Sequence, residues 1–569
     1  MSTEKALIYF VITIFSLFGP ACSKKAQYSG VADLVLLNGK IVTVDENESI
    51  AEAVAVKFGK ILAVGTRDEI KGLIGQDTRI IDLKGRTAIP GLIDSHCHIT
   101  STAISMIGVL DLSEEAGVKS IADIQMKIAE RAAAVKKGEW ISGVREDDYK
   151  LAEKRHPTRW ELDKASQENP VIISTVGGHF SIANSKAFEL AGVTRKTPDP
   201  VGGVFDRDPE TGELTGGLHE TARGIISRVM PSRKELNREE AAEVVKKMLL
   251  ENAKAGLTCI YDNAGSSQLK AVLDLKSRGE LPIRFRVDFG IGHFQQMENL
   301  GLIHEPFGDE WVKICGVKFF FDGAISARTA AVSEPYLHRD NFYGVMATTE
   351  ELARKTLMQA YKAGCRISAH ANGDRALDMY LDIMEEIQKK YPRHDSRNRI
   401  IHCTVINPEI VERIKKLGLL PTIFGAYPYY HGDKLIPAFG EQRLQRMFAA
   451  RSFLDAGVVI SANSDHDASP FPPLMGIHAL VNRKTKAGKP IGQEQRISVM
   501  EALKLYTINA AYHSFDEDLI GSIEMNKCAD IVVLGEDILT VPQDSIIHIP
   551  IDMTIVDGKV IYERESPIS

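Results

Sequence analysis

"PGLIDSHCHIT", residues 90–100, runs an apolar strand-like segment into two histidines with one cysteine between them. On an extended strand successive side chains point to opposite faces, so His96 and His98 share a face and Cys97 turns the other way. Two imidazoles at the end of a buried strand are costly unless something uses their nitrogens, and a metal ion is the obvious user. Its other ligands would then lie at the ends of similar strands.

Seven further runs of this kind follow: "LTCIYDNAG" (257–265), "IRFRVDFGIG" (283–292), "VKFFFDGA" (317–324), "RISAHANGD" (366–374), "RIIHCTVI" (399–406), "LPTIFGAY" (420–427) and "VVISANSD" (458–465). Helical stretches such as "EELARKTLMQAYKAG" and "NPEIVERIKKLG" separate some of them. Strands alternating with helices give an α/β fold with a parallel sheet, and eight of them close naturally as a (β/α)8 TIM barrel. The span 101–250 exceeds one crossover and is expected to be a large insertion after strand one.

The two ends of the chain read differently. "DLVLLNGKIVTVD", "AVAVKFGKILAVG" and "TRIIDLKGRTAIPG" at one end, and "CADIVVLGEDIL" and "DMTIVDGKVIYE" at the other, are short strands with Asn-Gly, Gly-Lys and Asp-Gly turns. They predict a small β-sandwich assembled from 31–88 and 516–565, with the barrel at 89–515 between its halves.

The composition is that of an ordinary globular protein, 44% hydrophobic and 25% charged. A net charge of -7 without a basic stretch argues against nucleic acid as a partner. The apolar run 6–18 has signal-peptide length, and the segment resembles a bacterial lipoprotein signal, with Cys22 as the lipidated residue behind Ala21. It predicts export of residues 23 onward to the periplasm or to a lipid anchor on a membrane. An ordinary cleaved signal over 1–22 and an uncleaved anchor remain the alternatives. Six cysteines follow Cys22, and Cys97, Cys259 and Cys403 sit in apolar runs without paired spacing, as buried small hydrophobes do.

A barrel carries its chemistry at the C-terminal ends of its strands. His96, His98, Lys318, His370, His402 and Asp465 all fall on or just after such strands, a plausible site for one or two divalent ions. Imidazole and carboxylate suit zinc, and also iron, manganese or nickel. Singly, each has a plainer role: a strand histidine is often structural, Lys318 could reach solvent, and Asp465 could cap a helix. The ordered combination carries the weight.

"PGLIDSHCH", "GVKFFFDGAISARTAA", "AHANGDRALD", "RIIHC" and "ANSD" resemble the successive signatures of the amidohydrolase superfamily, in particular metal-dependent amidohydrolase family 3 and its branch of N-substituted formamide deformylases. The resemblance implies His96 and His98 as the first metal ligands. Lys318 would be a lysine that carbon dioxide carboxylates to bridge two ions, His370 and His402 would be ligands of the second ion, and Asp465 a ligand and the proton carrier. It places His179 and Asn184 of "VGGHFSIANSKAFELAGV" near substrate, with His179 as a candidate oxyanion partner, and leaves Glu220 without a role. Ile401 and Thr404 depart from the family's Glu and Gln, which predicts different support behind the ligands. Tyr427, Tyr429 and Tyr430 after strand seven are expected either to bind a flat substituent or to pack a loop. The implied activity is hydrolysis of a linear, non-peptide C–N amide bond in a small molecule, and a homodimer is compatible with it. A cyclic amidase or deaminase, and a lipid-anchored binding protein without turnover, are the competing expectations.

Overall fold

The computed structural model describes residues 30–565 apart from 115, 232–235, 300–305, 338 and 340. The apolar N-terminal run and Cys22 lie outside the described residues, and no described helix is long and apolar enough to cross a membrane.

All eight expected strands form one parallel sheet. They are β1 (Leu92–Cys97), β2 (Leu257–Asn263), β3 (Arg284–Gly290), β4 (Val312–Phe320), β5 (Ile367–Ala371), β6 (Arg399–His402), β7 (Leu420–Phe424) and β8 (Ser461–Asn463), paired in chain order. Ser95 Oγ donates to Ala462 O at 2.7 Å and Asp465 N to His96 O at 3.0 Å, so β8 meets β1 and the sheet curls into a barrel. The strands are almost wholly buried, as parallel strands are when helices cover them.

Two smaller sheets flank the barrel. One contains Leu34–Leu37 and Ala53–Lys57; the other pairs Thr87–Pro90 antiparallel with Ile531–Leu534, so both chain ends share it. Leu36, Val54 and Ile61 of the first pack on Ile41, Val533 and Ile555 of the second.

Between β1 and β2 lies a six-stranded sheet that includes Ile141–Glu146, Val171–Thr175, Phe180–Ala183 and Leu214–Glu220. It ends earlier than the expected position 250. The helix Arg238–Lys254 buries Ala242, Val245, Leu249 and Ala253 in the barrel's own apolar core, so it belongs to the barrel's outer ring. Gly177 and Gly178, both at positive φ (75° and 66°), make the tight turn between two inserted strands that brings His179 over the barrel mouth.

All six described cysteines are free and buried. Cys97 packs with Leu92 and Ile99 in the barrel core, on the opposite side of β1 from the histidines.

Candidate metal and catalytic site

The barrel mouth gathers the residues singled out by the strand pattern. His96 is the penultimate residue of β1; His98 follows it as the N-cap of helix α1 (Ile99–Ser105). Lys318 and His370 lie near the ends of β4 and β5, His402 ends β6, and Asp465 lies two residues beyond β8.

Donor atoms of His96, His98 and Asp465 all lie within 4.8 Å of one another. Asp465 Oδ1 is 3.5 Å from His96 Nε2 and 3.4 Å from His98 Nε2, and its Oδ2 is 3.9 Å from His402 Nε2. The His370 and His402 rings stand edge to face at 4.6 Å, and His402 stacks on Phe424 at 4.3 Å. Lys318 Nζ is 3.0 Å from His96 Nε2. The one site therefore holds five of the six predicted ligands within contact of a neighbour in the set, with His370 joined through His402.

The electrostatics favour uncharged nitrogens. Burial, then the charge of Lys318 and neighbouring imidazoles, holds His96 well below the usual imidazole value. Burial and adjacent groups do the same to His370 and His402. Burial also brings Lys318 down to about 7, although Asp465 and Asp288 oppose it. A divalent ion fits this set: the imidazoles are in their ligating form, a carboxylate adds charge, and His402 Nδ1 is buried with no hydrogen-bond partner.

Behind the donors, polar side chains fix their positions. Asn372 Nδ2 lies 3.1 Å from His370 Nε2 and donates to Gly323 O, while its Oδ1 accepts from Thr404 Oγ1 at 2.7 Å. Thr404, where the family pattern has another residue, thus supports His370 through Asn372. Asp94 accepts from Ser464 N (3.0 Å) and Ser464 Oγ (2.5 Å), which locks β1 to the residue before Asp465. Asp322 accepts backbone N–H bonds from Ala331, Asn372 and Gly373. Burial lifts Asp94 and Asp322 to about 7 despite these bonds. Asp94 and Asp322 carried no role in the sequence reading, although both stand inside its motifs, "DSHCH" and "FFFDGA".

A cavity of about 610 Å³ opens above the donors, lined by His98, His370 and Asp465 below and by His179 and Glu220 of the inserted sheet above. His179 Nδ1 is 2.8 Å from Glu220 Oε2, and Glu220 Oε1 accepts from Thr329 Oγ1 at 2.8 Å. Burial opposes protonation of His179, but Glu220 outweighs it and the imidazole's pKa is raised. Glu220, left without a role by the sequence, is therefore the residue that orients His179. Its signal was its partner in the β-ladder register, visible only once Phe180 and His219 are paired.

Two expectations are corrected. Asn184 does not face substrate: it is fully buried, its Oδ1 accepts from Val171 N and Ala187 N, and its Nδ2 donates to Ser166 O and Asn169 O. It caps the helix Ser185–Leu190 and has no capacity left for a ligand. The tyrosines do not line the main cavity either. Tyr427 is buried on Phe424 at 3.8 Å, Tyr429 packs on His478, and Tyr430 lines a neighbouring cavity of about 250 Å³ that shares only Asp467 with the first.

Comparison with known proteins places this geometry. The model of the amidohydrolase family matches residues 79–562. The chain is 29% identical to the N-substituted formamide deformylase of Arthrobacter pascens, over 94% of this chain and 98% of that one. It is 28% identical to the putative amidohydrolase YtcJ of Bacillus subtilis (strain 168), over 92% and 98%. An uncharacterized metal-dependent hydrolase from Pyrococcus horikoshii OT3 superposes with a TM-score of 0.69 at 25% identity, covering 90% of this chain and 99% of that one.

Proposed function

Since the chain belongs to the amidohydrolase family, and so is a metal-dependent hydrolase of C–N bonds, we propose that its substrates are linear, non-peptide amides of the N-substituted formamide or amide type. The observation that carries this is the convergence of His96, His98 and Asp465 beside Lys318, His370 and His402 under a roof that holds His179. Likeness to a relative named as an N-substituted formamide deformylase over nearly the whole chain supports the substrate class.

His96, His98, His370, His402 and Asp465 would hold the metal, and zinc suits their nitrogens and oxygen. Lys318 as a carbamate would complete a two-ion site, because a free ammonium 3.0 Å from His96 Nε2 repels cations whereas a carbamate presents anionic oxygens. A divalent ion held there makes water acidic and polarises a carbonyl. The chain's own residues then move the protons. Asp465 accepts the proton of the attacking water and delivers it to the amide nitrogen as the C–N bond breaks. His179, held through Nδ1 by Glu220, turns its other nitrogen to the carbonyl oxygen and stabilises the negative charge that forms there. Export and tethering through Cys22 complete the proposal.

The test is elemental analysis of the chain lacking residues 1–22, beside Lys318→Ala, followed by turnover of N-formyl amines, N-acyl amines, hydantoins and aminopyrimidines. About two ions per chain, falling in Lys318→Ala, and turnover of linear amides that Asp465→Asn abolishes are expected. Turnover of cyclic substrates alone would overturn the linear-amide assignment. Tight binding without turnover, unchanged in Asp465→Asn, would make the chain a binding protein.

A further inference from the structure

The cavity above the donors has a second end. Helix α2 (Ala222–Ser227) follows Glu220 on the inserted sheet and faces α1 across the opening. This end is polar: Ser101, Thr102 and Ser105 stand on one side, and Thr221, Arg223 and Ser227 on the other. Among the described apolar side chains only Phe320 and Ala347 reach the cavity wall.

Arg223 is the feature that needs explaining. Its Nε donates to Ser181 Oγ at 3.0 Å, a neutral partner, and among the described residues no carboxylate lies within ion-pair distance of its guanidinium. Burial lowers its pKa, with Glu220 and Asp467 offsetting this only from a distance. Most other cations at neighbouring cavities are matched, Arg339 being an exception that lies over the Phe342 ring. Arg145 lies 3.0 Å from Asp111, Lys150 lies 3.7 Å from Glu114, and Arg328 and Lys434 each lie 2.7 Å from Asp148. A half-buried guanidinium with one neutral hydrogen bond costs free energy that a bidentate anion would recover.

We propose that Arg223 is a specificity-determining residue that receives a carboxylate on the substrate, so that the preferred amides are N-acyl amino acids and related carboxylate-bearing amides. This rests on the linear-amide assignment and narrows it. The planar fork of Arg223 pairs with the two carboxylate oxygens, and Ser101 and Thr102 of α1 are left to donate to the remaining lone pairs, since Ser105, Thr221 and Ser227 already donate to backbone carbonyls. The scissile amide then lies toward Asp465 and His179, at the other end of the same cavity.

The experiment compares two matched pairs that differ in one carboxylate: N-formylphenylalanine with N-formylphenethylamine, and an N-succinyl amine with the corresponding N-butyryl amine. Steady-state turnover is measured on the metal-loaded enzyme, and calorimetric binding of the same compounds on Asp465→Asn. A carboxylate on the favoured side should raise kcat/KM and tighten binding about 10- to 100-fold. Arg223→Met should remove most of that ratio, and Arg223→Lys should keep part of it. The two pairs tell whether the carboxylate belongs on the amine or the acyl side. Equal or better use of both neutral partners, or a ratio unchanged in Arg223→Met, overturns the role of Arg223 while leaving the amide assignment intact. No turnover of any of the four overturns the amide assignment and the inference with it.

Discussion

Glu220, His402 and Asp465 all stand in the left-handed region, at φ values of 48°, 80° and 51°. For residues with a Cβ such a conformation costs on the order of 1–3 kcal/mol and persists only where surrounding contacts over-determine it. For Glu220 those contacts are visible: its N–H donates to His179 O at 3.0 Å while its carboxylate holds His179 Nδ1 and Thr329 Oγ1. The strain thus aims a charge at one imidazole. Glu220→Gln keeps the size and one acceptor but removes the charge. We expect kcat to fall about 10- to 100-fold, the scale seen when a carboxylate behind a functional histidine is lost, with metal content unchanged by elemental analysis. An unchanged kcat would make His179 a structural residue of the turn at Gly177 and Gly178.

The eight barrel strands were legible because most of them join an apolar run to a polar residue at or near the C-terminal end, a pattern that a buried parallel strand imposes locally, whereas β7, which ends in Phe424, was legible from its apolar run alone. The inserted sheet was not legible in the same way. "PVIISTVGGHFSIAN" contains a hairpin, but its pairing to Leu214–Glu220 is set by contacts some forty residues away, and Glu220 acquires its role from that pairing. Asn184 shows the converse error. A motif position in a resembling family places a residue near substrate, whereas the local backbone needs a side chain that can serve four partners at once. Asn184→Ala leaves two N–H groups and two carbonyls buried without partners, and should destabilise the inserted sheet by about 2–4 kcal/mol. Thermal melting would register the loss, while KM on the intact enzyme at a temperature below the transition should not move. A large KM change without loss of stability would restore Asn184 to the substrate site.

At the scale of the whole molecule, the inserted sheet is fastened to the barrel by charge rather than by apolar packing alone. Asp147 and Asp148 follow the strand Ile141–Glu146; Lys434, from the helix α3 (Gly432–Leu444) beyond β7, lies 2.9 Å from Asp147 and 2.7 Å from Asp148, and Arg328 from the loop after β4 reaches Asp148 at 2.7 Å. All three members at the centre are buried. Burial alone would raise both carboxyls, but Lys434 prevails and both are held below the usual carboxylate range. A native pKa below the unfolded value of about 3.9 contributes stability in full above that pH, and the contribution is lost as pH falls through the native values. Lys434→Met upsets the balance, since Asp147 then keeps only His431 at 3.8 Å and Asp148 keeps Arg328 at 2.7 Å and His156 at 3.7 Å, and a broken buried pair costs about 3–5 kcal/mol. The variant should therefore melt well below wild type at pH 7. The gap should narrow as pH falls toward 4, because the variant's buried carboxyls, without Lys434, protonate and shed their penalty while the wild-type pairing keeps its contribution down to about the unfolded carboxyl value. Melts at pH 7, 5.5 and 4 decide it: a gap that stays constant with pH would mean that Lys434 acts through packing of its methylenes, and that the insertion is not held by charge.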